Sequence, residues 1–285
     1  MASVPTTGFR AWLRRRLGRG GAVVPVVRLQ GVIAADLRPG RLNIAGVAPL
    51  LQKAFSYKSA PAVVIVVNSP GGSPVQSRLI SKRIRDLADE HGKPVLVFVE
   101  DAAASGGYFI AVAGDEIIAD PSSIVGSIGV IFAGFGFDQA LDKLGVERRV
   151  YTAGRNKSTL DPFLPAREAD IERIKQHELD IHQVFIGHVK ARRGNKLKAD
   201  DDTLFTGEWW TGVRGVELGL VDALGDLHQV LRQRFGENVR VRPIAEKRPL
   251  FALPRLGLSA LAGSSLAADV LATLEDRALW TRLGL

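Results

Sequence analysis

The stretch Ala62–Val67, AVVIVV, constrains the fold more than any other part of the chain. It is an unbroken apolar run of strand length, and the lack of polar alternation means that both faces must be covered. Such a strand belongs inside a parallel sheet with helices on either side. The residues that follow agree. Asn68-Ser69-Pro70-Gly71-Gly72 reads as a turn, and Ser73-Pro74 carries the serine cap and first-turn proline of a helix start. Leu79, Ile80, Ile84 and Leu87 then recur at helical spacing and supply a face to bury.

The same alternation runs along the chain. Residues 22–29, AVVPVVRL, predict a first strand that continues past Gly31 into Val32 and Ile33. A helix is expected over 43–57, with Ile44, Val47, Leu51 and Phe55 on one side. Pro94–Val99 predicts another buried strand, after which Ser105-Gly106-Gly107 opens a short helix to about Ala113. Short strands are expected at Glu116–Ala119 and Ile128–Phe132, a helix at 136–144, and a strand at Glu147–Thr152 leading into the loop Gly154–Pro165. A long helix, Ala166–Arg193, should place Ile171, Ile174, Ile181, Phe185 and Val189 inward and end at Gly194. Strand–helix alternation of this kind predicts an α/β layered fold with a largely parallel sheet. A length of 285 residues could hold two domains, but no internal repeat or strong linker divides it, so one domain is expected.

Composition matters chiefly for what it removes. There is no cysteine, which excludes disulfides, thiolate catalysis, zinc–thiolate sites and iron–sulfur clusters. The net charge of +8 is concentrated at the start, where Arg10, Arg14, Arg15, Arg16, Arg19 and Arg28 precede the first acidic residue, Asp36. The remainder is nearly balanced, against a nucleic-acid groove. The opening lacks an apolar run long enough for a signal peptide, and no later stretch has the length of a transmembrane helix. Phe9, Trp12, Leu13 and Leu17 among the arginines leave two readings open, a solvated basic arm and a peripheral contact with a membrane surface. The expected location is the cytoplasm, at the inner face of the cell membrane if the leader binds there. The chain thus divides into a basic leader (1–21), a body (22–245) and an apolar C-terminal segment (246–285). Leu266, Val270, Leu274 and Leu279 or Trp280 form a stripe in that last segment, and packing against the chain itself or another subunit is preferred over a bilayer.

Two places after buried strands could carry chemistry. The Pro70-Gly71-Gly72 turn would let backbone amides approach a developing oxyanion, although an ordinary tight turn explains it equally. Ser105 would sit at the positive end of a helix with the Gly106 amide beside it. A serine needs a base. None of His91, His177, His182, His188 and His228 follows a strand end, and residues 177–181, HELDI, miss the HExxH metalloprotease pattern by one position. Neither a Walker loop nor a GxGxxG fingerprint is present. Lys157, in GRNKSTLDPF, could reach Ser105 across a sheet edge, but a lysine acts as a base only when neutral, and most loop lysines are solvated. Ser127, in GSIGV, could orient its amine.

Four stretches in this order and spacing change the weighing: VNSPGG at 67–72, ASGGYFIAVAGDEIIADP at 104–121, GSIGV at 126–130 and GRNKSTLDPF at 154–163. Together with TGEWWTGVRGVELGLVDALG at 206–225, they resemble the S49 peptidase family, the signal peptide peptidase A (protease IV) type with a ClpP/crotonase-like fold. The resemblance spans about residues 60–230 and fits the short form with one catalytic domain. It implies a Ser–Lys dyad of Ser105 as nucleophile and Lys157 as general base, with Ser127 positioning the lysine and the Gly72 and Gly106 amides forming the oxyanion hole. It further implies an acyl-enzyme without metal or cofactor, and extended, hydrophobic peptide substrates such as signal peptide remnants. The short form commonly assembles as an octamer, in some members with serine and lysine from adjacent subunits. Two alternatives are a crotonase-type acyl-CoA enzyme and an inactive membrane-associated scaffold.

Overall fold

A computed structural model describes residues 21–36, 38, 40–245, 273–274 and 276–285. The basic leader and most of the C-terminal stripe, including Leu266 and Val270, lie outside the described residues. The main sheet is built on β1 (Val23–Gln30), β4 (Val63–Ser69), β5 (Val95–Ala104), β6 (Glu116–Ala119), β9 (Ala223–Leu224) and β10 (Arg240–Ile244). Their order is β10-β1-β4-β5-β6-β9, and every pairing along it is parallel. A two-stranded ribbon of β2 (Val32–Ile33) and β3 (Arg41–Leu42) follows β1.

All residues of β4 are buried, and its apolar residues, 63–67, divide between two cores. Val63, Ile65 and Val67 pack with α1 (Ile44–Phe55), α2 (Pro74–His91) and α3 (Gly106–Ala111), together with Phe185 and Val189 of α5 (Glu168–Arg193). Val64 and Val66 face the opposite layer, where Val230 and Leu231 of α8 (Leu227–Phe235) close the core. The unbroken apolar run is therefore the midline of a helix–sheet–helix sandwich. Each of these side chains stabilises the fold by roughly 1.5–3 kcal/mol on burial. α1 is capped by Asn43, which accepts the Gly46 amide, and α2 by Ser73, which accepts the Gln76 amide.

β5 divides the sheet. Its first half, Leu96–Val99, pairs with β6, and its last residues, Ala102–Ala104, pair with β7 (Ile124–Gly126). The strand thus runs five residues beyond the predicted Val99, because a register shift opposite Val67–Ser69 lets it continue past Glu100 and Asp101. β7 continues antiparallel into β8 (Trp209–Thr211).

Several expectations are corrected. No strand forms at Glu147–Thr152 or Ile128–Phe132; the strand in this region is β7, one turn earlier. Residues 145–152 are exposed in this chain, so nothing covers the apolar side of such a strand. Of the residues of α5 expected to face inward, Phe185 and Val189 are buried, while Ile181 is exposed and Ile171 and Ile174 are half-buried. Leu79 of α2 is likewise exposed. α4 (Asp138–Leu144) forms as predicted but buries none of its residues. α6 (Asp201–Leu204) and α7 (Gly212–Leu218) complete the body. No described helix is long and apolar enough to cross a membrane.

Candidate active site

The site lies beyond the carboxyl ends of β4, β5 and β7, where parallel strands of an α/β sheet present their loops. Ser105 follows β5 directly, at φ 50° and ψ −120°, and its side chain makes no cap bond with α3. Its amide donates to the Gly126 carbonyl at 2.8 Å. Ala104 is in register with Gly126, and the residues that follow them, Ser105 and Ser127, both line the same cleft. Ser127 is also held at positive φ, 53°, with its amide donating to Glu208 O at 2.7 Å. Positive φ costs a non-glycine residue on the order of 1–3 kcal/mol. Here the β7–β8 pairing and the Trp210 ring packed over Gly126 hold the lip in place.

The opposite wall is the Gly71-Gly72 turn. Ile33 N–H donates to Gly71 O at 2.8 Å and Ser73 N–H donates to Ile33 O at 2.7 Å. This bridge leaves the Gly72 amide without a partner among the described residues. Gly106 is the first residue of α3, where an amide has no intrahelical acceptor. A Cβ at Gly72 would fall 2.0 Å from Ile33 O, and one at Gly71 would fall 2.8 Å from the Ser105 Cβ. Only glycine lets the two backbone runs approach so closely. The result is two backbone donors flanking a serine hydroxyl, which suits an oxyanion hole.

Ser105, Gly72, Gly106 and Ser127 line one cleft of about 740 Å³. Its walls are mainly apolar, with Val75, Phe109, Ile131, Val184 and Trp209 among them. The described C-terminal residues reach it as well. Residues 276–281 are helical, and Leu279, Arg282 and Leu283 line the cleft. Leu283 is buried against Ala102, Ala104 and Ile124, and Asp276 accepts two hydrogen bonds from Arg41, at 2.7 and 3.2 Å. Of the predicted stripe, Leu279 lines the cleft and Trp280 packs in the Leu283 cluster, whereas Leu274 is exposed. The sequence offered its apolar period but not its address, because nothing local encodes which groove a distant helix will fill.

Lys157 is not brought to this cleft. It is exposed, in a turn where its amide donates to Gly154 O at 3.1 Å, and no lysine lines the cleft. The histidines do not replace it. His188 stacks on Phe109 with ring centroids 4.1 Å apart, and its Nε2 lies 3.1 Å from both Ser81 Oγ and Phe109 O. Burial pulls its pKa down to about 4, so it is a neutral packing residue at physiological pH. His182 Nε2 contacts Ile128 O at 3.0 Å. No histidine lines the cleft.

The family model for peptidase family S49 matches residues 88–241. The chain belongs to peptidase family S49, a family of serine peptidases. It is 55% identical over 273 residues to a Brucella abortus protein named Na(+)/H(+) antiporter NhaA, covering 92% of this chain and 37% of that protein. It is 33% identical over 219 residues to Protease 4 of Haemophilus influenzae, covering 74% of this chain and 34% of that protein. The chain therefore spans only about a third of the length of these relatives. Because the chain covers only 37% of the Brucella abortus protein, that protein's name is not carried to the S49 region. The fold is similar to that of a mutant of the 1510-N membrane-bound stomatin-specific protease, with a TM-score of 0.51 and 17% identity over 79% of this chain and 99% of that one.

Proposed function

We propose that this S49 member is an endopeptidase that cleaves extended, mostly hydrophobic peptides, such as signal peptide remnants, through a Ser105–Lys157 dyad. One observation carries the reading: a strained, uncapped serine stands beside two unpartnered amides, Gly72 and Gly106, on the lip of an apolar cleft. Ser105 Oγ bonds to the scissile carbonyl carbon while its proton passes to the Lys157 amine, and the two amides receive the oxyanion. Collapse breaks the C–N bond, and the lysine returns the proton to the departing amine. The same base then activates water to hydrolyse the ester. Ser127 orients the amine. The scheme uses no cofactor or metal.

In this reading the lysine arrives from a neighbouring copy of the chain. Lys157 shares its stretch with Ile131, Phe132, Phe135 and Tyr151, all exposed, Tyr151 at 91%. An apolar surface of this kind is a liability in a lone chain and an asset in an assembly. A closed ring, an octamer on the pattern of the short form, would cover it and place each lysine at the adjacent serine. Removing an amine from water also lowers a lysine's pKa, which general-base action at neutral pH requires.

A fluorophosphonate probe should label Ser105 in the assembled protein, fail on Ser105→Ala and label Lys157→Ala only weakly. Peptide cleavage that persists in Ser105→Ala would overturn the reading.

A further inference from the structure

The cleft has an unusual charge content. Its lining contains no aspartate, glutamate, lysine or histidine; its ionisable side chains are two arginines, Arg78 on α2 and Arg282 near the C-terminus. The other cations of α2 are all engaged. Lys82 pairs with Asp86, Arg85 pairs with Asp89 and Asp115, and Arg83 donates to the Gln52 side chain. Among the arginines and the lysine of that helix, Arg78 alone has no hydrogen-bond or ion-pair partner among the described residues, and it lines the cleft. It stands one helical turn from Pro74 and Val75, which line the same groove near Gly72. Arg78 is exposed at the rim of this apolar cleft, where its planar guanidinium is free to pair with a carboxylate.

Building on the peptidase reading, we infer that Arg78 is a specificity-determining residue that selects peptides carrying a carboxylate beside an apolar run. Arg282 adds a second positive charge at the same groove, so the cleft attracts acidic peptide segments and repels basic ones. The carboxylate has two sources, an aspartate or glutamate side chain and the free end of a peptide remnant. The same groove chemistry serves both, and the site would discriminate against lysine or arginine at that place.

The test uses the full-length assembled protein and three apolar peptides of one length that differ at a single position, bearing glutamate, glutamine or lysine, each with a free or an amidated C-terminus. The expected order of kcat/KM is glutamate over glutamine over lysine, with about a tenfold span between the extremes at low salt that narrows as ionic strength rises. Arg78→Glu should reverse the order, and Arg78→Lys should keep it with a smaller span. A preference that follows the free C-terminus and not the glutamate assigns the carboxylate to the peptide end. Equal kcat/KM for all the peptides, or an order unmoved by Arg78→Glu, overturns the inference while leaving the peptidase intact. Failure of the wild-type protein to cut any of them overturns the peptidase reading instead. Circular dichroism and assembly size of Arg78→Glu, compared with wild type, establish that its order is read on folded protein.

Discussion

Two regions of this molecule meet at the proposed reaction and differ in how they are held. The cradle formed by residues 68–72, 104–107 and 126–127 is pinned from every side. Three parallel strand ends, the Ile33 bridge and the β8 strand fix it, and its glycines stand where any side chain would collide with backbone or a neighbouring wall. The stretch from Ile131 to Leu164, which carries Lys157, is mostly exposed and contains a helix with no buried residue. Its aromatic contacts, Phe135 with Phe137 and Phe137 with Phe163, are internal to the stretch. A peptidase can preorganise its electrophile-binding half within one chain and leave its base on a surface that only assembly covers.

The contrast is broken most directly by separating the two halves. Ser105→Ala and Lys157→Ala should each abolish peptide cleavage, by at least about 10³-fold. Mixing the two inactive variants under conditions that exchange subunits should restore activity to about a quarter of wild type if the dyad spans two copies of a closed ring. If each chain supplies its own dyad, the mixture stays inactive. The readout is steady-state cleavage of one quenched peptide.

The next largest effect concerns the rigid half. Gly106→Ala places a methyl 2.4 Å from Ser77 Oγ, and Gly72→Ala places one 2.0 Å from a backbone oxygen. Both should lower kcat by about 10²–10³-fold by displacing an oxyanion donor. Gly72→Ala should also lower thermal stability measurably, since a backbone oxygen cannot swing away as a serine hydroxyl can.

On the exposed half, Tyr151→Asp should shift sedimentation toward smaller species and reduce activity in proportion. The unfolding free energy of the isolated chain should stay within about 0.5 kcal/mol of wild type. An unchanged assembly would remove this surface from the interface.

A pH dependence of stability comes from His188, which stacks on Phe109 behind the cradle. Because the folded pKa of His188 is held at about 4 by burial, below its ordinary value near 6.5, the unfolded chain binds the extra proton first as pH falls. The histidine's contribution to stability is present above about pH 6.5 and is lost progressively between there and pH 4. His188→Gln should flatten that part of the stability curve, measured by urea midpoints across the range.

Much of the rigid half was legible in the sequence. A continuous apolar run, a glycine pair and a Ser-Pro helix start identify a buried strand, a close backbone approach and a capped helix through local chemistry alone, and β4, the turn and α2 form accordingly. The exposed half misled the reading for a reason of the same kind. Val150 and Tyr151 have strand-like character, yet a short strand forms only against a partner, and these residues have none among the described residues. Ile171, Ile174 and Ile181 repeat at helical spacing, but spacing says which residues share a face, not whether anything lies opposite.

By itself the sequence determined the layered parallel-sheet architecture and the absence of thiol chemistry. It did so because periodicity, capping and glycine placement act over a few residues. Only the tertiary structure decided that Ser105 and Ser127, which follow the paired ends of β5 and β7, line one cleft, that Leu283 packs on Ala102, Ala104 and Ile124, and that Lys157 stays outside the cleft of a single chain. Those facts depend on strand pairing and on packing between segments far apart in the chain, where proximity is fixed by the global arrangement of the core and not by any local run of residues.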